Sequence, residues 1–69
     1  MKDINTTVSA NIKKLRKHKG LTQESLALKS GLHRAYIGHV ERGEKNINLA
    51  NLEKVSKALG VNIKELFEL

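Results

Sequence analysis

The residues best placed to do chemistry in this sequence are His33, Arg34, Ala35, Gly38 and His39, which occupy the outward side of a short segment with helical spacing. Such a set suits recognition of base edges. A guanidinium at Arg34 can donate two hydrogen bonds to guanine O6 and N7, a discrimination of about 1–3 kcal/mol, and small residues let the backbone come close. Arg34 would serve equally as a phosphate clamp, because at least half of protein–DNA hydrogen bonds go to the backbone.

Other chemistries lack their parts. No paired carboxylates, nucleophile with base, or phosphate-cradling loop can be assembled, so the chain is not expected to be an enzyme. His33 and His39 stand six residues apart and diverge around a helix, and His18 has no acidic or thiol cluster beside it, so no metal site is expected. Protonation of either helix histidine near pH 6 would add positive charge beside phosphate and strengthen DNA affinity. There are no cysteines, which removes disulfides and thiolate sites. No cofactor or small-molecule ligand is expected.

The net charge of +6 is uneven: Lys2, Lys13, Lys14, Arg16, Lys17 and Lys19 face only Asp3 within residues 1–19, as suits a polyanion-binding surface. A basic face that is merely solvated is the alternative. No run approaches the roughly 20 apolar residues of a membrane span. The opening residues lack a signal-type apolar stretch, so a cytoplasmic, non-membrane protein is expected.

The positioning elements follow from glycines, caps and periodicity. Over residues 1–69 a single domain is expected, with helices at about 7–19, 22–30, 33–41, 48–59 and 62–68. Val8, Ile12 and Leu15 repeat at helical spacing before Gly20; Thr22 caps a helix ended by Ser30-Gly31; Ala35 or Tyr36, with Ile37 and Val40, give the third helix a buried stripe. Asn48 caps a fourth, with Leu49, Leu52, Val55, Ser56 and Leu59 on one face, and Asn62 with Glu65 forms a capping box for the fifth.

The run from Leu21 to Leu59 resembles the helix-turn-helix of the Xre/Cro/C1 family of bacterial and phage repressors. The likeness rests on Thr22-Gln23-Glu24, the turn glycine Gly31, Val40-Glu41-Arg42-Gly43 and the helix Leu49 to Val55. Within that family, Leu32 to Ile37, Glu41-Arg42-Gly43 and Asn46 to Leu49 are most similar to restriction-modification controller proteins. Those proteins usually carry Ser or Thr at the positions of Ala35 and Gly38, so a hydroxyl contact is lost here.

The resemblance implies an all-α, five-helix lambda-repressor-like fold, bacterial or phage-encoded, acting as a homodimeric regulator on double-stranded DNA with a two-fold operator. By the same token, Gln23, Arg42, Lys45, Asn46 and Asn48 would contact the DNA backbone, Asn48 doubling as a cap, while Arg16 and Glu41 would pair across helices. Tyr36 would stack on a sugar or bond a phosphate, with core filling as the alternative. Ile63, Leu66, Phe67 and Leu69 are too many apolar residues for one narrow stripe, which suggests packing against a second copy. A different class also uses this fold: an antitoxin or anti-repressor module that binds a protein and would be expected to carry an extension for it.

Overall fold

Asp3 accepts the amide hydrogen of Thr6 at 2.8 Å and so starts α1 at Ile4–His18, three residues before the expected onset at 7. Threonine is a poor helix former, but at Thr6 and Thr7 the Asp3 cap and the burial of Thr7 and Ser9 outweigh propensity. The Thr6 bonds, backbone amide first, hold the Asp3 carboxyl below its ordinary value. The computed structural model describes residues 3–68.

A reciprocal box opens α2 (Gln23–Ser30): Ser25 N–H donates to Thr22 Oγ1 at 3.0 Å, and Thr22 N–H to Ser25 Oγ at 2.8 Å. Gly31 ends the helix at φ +71°, a left-handed conformation that L side chains adopt at a cost, and Leu32 N–H bonds back to the Ala27 carbonyl at 2.9 Å. This tight corner turns the chain into α3 (Arg34–Glu41). Asn48 Oδ1 accepts Asn51 N–H at 2.8 Å to start α4 (Leu49–Leu59).

The fifth element corrects the expectation of a helix over 62–68. Ile63–Phe67 is a single 3-10 turn, so the chain has four α-helices and no strand among the described residues. Asn62 still caps it, and Glu65 Oε2 accepts Asn62 N–H at 2.8 Å. Continuation as an α-helix is blocked by two long-range demands. Leu66 is drawn wholly into the core, and Asn11 of α1 donates its amide to the carbonyls of Leu66, at 2.9 Å, and Glu68, at 2.6 Å.

The core joins all five elements: Val8 and Ile12 from α1, Leu26 and Ala27 from α2, Ile37 and Val40 from α3, Leu52, Val55 and Leu59 from α4, and Leu66. Leu49 departs from the expected inner stripe of α4; as its first residue it lies before the helix meets the core, and it is 74% exposed. α2 packs on both α3 and α4, and α1 also packs on α3, while Arg34, Ala35 and His39 of α3 stay exposed. Among the described residues no helix is long and apolar enough to cross a membrane.

Candidate nucleic-acid interface

The orientation of α3 is set at its C-terminal end by a buried ion pair. Arg16 of α1 donates Nε to Glu41 Oε2 at 2.6 Å and Nη2 to Glu41 Oε1 at 3.0 Å, and sends Nη1 to the Leu21 carbonyl at 2.7 Å. The Glu41 side chain is only 2% exposed. A third donor comes from α2, since Gln23 Nε2 reaches Glu41 Oε1 at 3.0 Å. One carboxylate thus ties three helices together, and the planar fork of Arg16 fixes the angle between them.

This arrangement occupies the side-chain nitrogen of Gln23 that the sequence reading assigned to a phosphate. Sequence spacing gives no warning of it, because Gln23 and Glu41 are 18 residues apart.

With its end fixed, α3 presents His33, Arg34, Ala35 and His39 as exposed residues on the open side. His33 is the N-cap residue but makes no side-chain capping bond. Gly38 does not share this exposure, which corrects its assignment as a base-contacting position: it is buried beneath another side chain. A Cβ placed there would stand 3.1 Å from Arg42 Nη1 and 3.6 Å from Gln23 Oε1.

Arg42 is the residue that lies over Gly38, and its guanidinium belongs to an exposed cluster. Arg42 Nε is 3.1 Å from Glu44 Oε1, Arg42 Nη2 is 3.2 Å from His39 Nδ1, and that same Nδ1 is 2.7 Å from Glu44 Oε1. A single ring nitrogen cannot donate to Glu44 and accept from Arg42 at once; the shorter contact is that with the carboxylate. His39 first, then Arg42, hold the Glu44 carboxyl below its ordinary value.

Tyr36 is partly buried and fixed at both ends. Its hydroxyl accepts from Asn51 Nδ2 at 3.1 Å, and the Lys45 ammonium lies 5.9 Å from the ring centroid. Asn51 and Glu44 were missed by the sequence reading: neither sits at a helical interval from its partner, so no local pattern flags it. Lys45, Asn46 and Asn48 are exposed in and after the loop, and the side-chain oxygen of Asn48 is committed to capping α4.

The residues assigned to a dimer surface separate. Leu66 is 0% exposed within its own chain, so it cannot meet a second copy, and Ile63 packs partly buried against the same core. Phe67 is 37% exposed. Leu69 lies outside the described residues. Among the described residues no group of His, Cys, Asp or Glu is arranged to hold a metal.

Two short helices meeting at a left-handed glycine, the second anchored at one end and open along one side, define the helix-turn-helix class. The family model described as helix-turn-helix matches residues 12–66, and the chain belongs to that family. It is 46% identical over 68 residues to control protein C.MunI of Mycoplasma, covering 97% of this chain and 92% of that one. Control protein C.SmaI of Serratia marcescens is 44% identical over 64 residues, covering 93% of this chain and 76% of that protein. The crystal structure of the restriction-modification controller protein C.AhdI from Aeromonas hydrophila superimposes with a TM-score of 0.88 at 44% identity, covering 91% of this chain and 96% of that one.

Proposed function

We propose that this protein is a sequence-specific DNA-binding transcriptional regulator of the restriction-modification controller type, working as a homodimer on a two-fold symmetric operator and without catalysis. The observation that carries the reading is the buried Arg16–Glu41–Gln23 junction, which holds α3 at one angle while leaving Arg34 exposed on its open side. A pre-oriented helix with an accessible guanidinium is the device that reads base edges in the major groove. The kinship with control proteins C.MunI and C.SmaI supports the regulatory role.

In this reading Arg34 contacts bases, with His33, Ala35 and His39 beside it. Tyr36, Lys45, Asn46 and Asn48 approach the phosphate backbone, as does the backbone amide of Gln23 at the start of α2. Two copies place their α3 helices in successive major grooves about 34 Å apart. Of the described apolar residues near the C-terminus, Phe67 is the one with surface to offer a second copy.

Selection of bound duplexes from a random DNA library at physiological salt tests this. The expected result is a symmetric motif in which Arg34→Ala blurs one position of each half-site. If a folded dimer enriches no sequence, the protein does not read DNA.

A further inference from the structure

Gly38 of α3 and Arg42, the residue that caps its C-terminal end, lie one helical turn apart, and the first determines where the second goes. A bare glycine lets the Arg42 guanidinium lie across the open side of α3, because a Cβ would stand 3.1 Å from Nη1, tighter than ordinary van der Waals contact. Glu44 then holds Nε at 3.1 Å, and His39 stands 3.2 Å from Nη2. One of the five guanidinium N–H groups, that on Nε, is so engaged, which leaves the donors on Nη1 and Nη2, the pair of nitrogens that can face guanine O6 and N7 together.

The surroundings match that use. Arg42 and Arg34 border one shallow depression with Gln23, Ala35, Gly38 and His39, and no carboxylate lines it. A phosphate is held well by a flexible cation in many orientations, whereas a base edge demands a fixed one. Buttressing by Glu44, itself bonded by His39, provides a fixed orientation before DNA arrives, which reduces the ordering lost on binding.

We infer that Arg42 reads a second base in each half-site, distinct from the one read by Arg34, and that Gly38 and Glu44 set this preference by placing Arg42 without themselves touching DNA. This rests on the DNA-reading function proposed above and revises the assignment of Arg42 to the phosphate backbone. Gly38 and Glu44 are positioning residues.

The test is the duplex selection repeated in parallel on wild type, Arg34→Ala, Arg42→Ala, Gly38→Ser and Glu44→Gln, with the salt dependence of affinity measured for each. Arg42→Ala is expected to reduce preference at one position of each half-site by roughly 5- to 150-fold, at a position other than the one blurred by Arg34→Ala. Gly38→Ser and Glu44→Gln should weaken that same preference several-fold and leave the Arg34 position intact. Gly38→Ser should melt no lower than wild type, since glycine is a poor helix former, so its altered reading is separable from misfolding. If Arg42→Ala lowers affinity for all sequences alike, leaves the motif unchanged and reduces the salt slope by about one, Arg42 is a phosphate clamp and the inference fails. A motif that responds to Arg42→Ala but to neither Gly38→Ser nor Glu44→Gln overturns the positioning role. If wild type enriches nothing, the underlying DNA reading falls as well, an outcome distinguishable from the other two.

Discussion

Two arginine–glutamate pairs flank the end of α3, and they differ in nearly everything except composition. In the first, Glu41 has a side chain 2% exposed and takes three donors from Arg16 and Gln23. In the second, three residues further on, Glu44 and Arg42 are both about half exposed, at 51% and 54%. The buried pair sets the angle between helices, because an unpaired charge in that position would be intolerable. Its exposed neighbour is bathed in water and salt, which leaves it little influence on stability and makes orientation of a guanidinium its main consequence.

Glu41→Ala is expected to produce the largest effect, since it leaves the Arg16 guanidinium buried without its carboxylate. The loss should be about 3–5 kcal/mol in urea denaturation, a large share of the stability of a small domain. Glu44→Ala measured beside it should leave the midpoint nearly unmoved; equal losses in the two variants would erase the contrast between the pairs.

Gln23→Ala sharpens the same contrast by removing one donor and leaving the pair itself. A hydrogen bond to a charged, buried acceptor contributes about 1.5–3 kcal/mol, so an intermediate loss is expected. A calorimetric melt indistinguishable from wild type would show that Gln23 is not part of the junction in solution.

Gly38→Ala acts on the exposed side and should go the other way. Replacing glycine in a helix interior gains about 0.5–1 kcal/mol, and the atom that must yield is the far end of a flexible Arg42 side chain. A drop in melting temperature would mean that the Arg42 placement contributes more to folding than its exposure allows.

The smallest effect concerns pH. Glu44 titrates below its ordinary value because His39 and then Arg42 bond its charged form, so its contribution is complete above the unfolded value and is lost as pH falls through the lower folded one. Melting curves of wild type and Glu44→Gln should differ slightly and constantly at about pH 6, then converge towards about pH 3. A gap that persists at the acid end would show that the difference does not come from the ionised carboxylate.

Local signals in the chain carried much of this architecture. Thr22, Gly31 and Asn48 mark helix ends by chemistry confined to a few residues, and Ile37 and Val40 mark the inner side of α3 by period, so the four helices and the outward direction of Arg34 were legible. The resemblance added the Arg16–Glu41 partnership, which lies 25 residues apart and has no local signature.

What failed to show was decided by contacts between distant segments. Leu66 looked available to a second copy, yet the space left between α1 and α4 absorbed it, and Asn11 tightened the last turn from 57 residues away. Gly38 read as an open point on a helix face; only the folded chain shows that Arg42 covers it and that Glu44, itself bonded by His39, holds Arg42 in place. The physical reason is range. Caps, turns and amphipathic periods act over three or four residues and are written in order along the sequence, so it determined where helices begin, end and face. Which long side chain fills the space beside a neighbour depends on how the helices cross, and that angle exists only after Arg16, Gln23 and Glu41 have met.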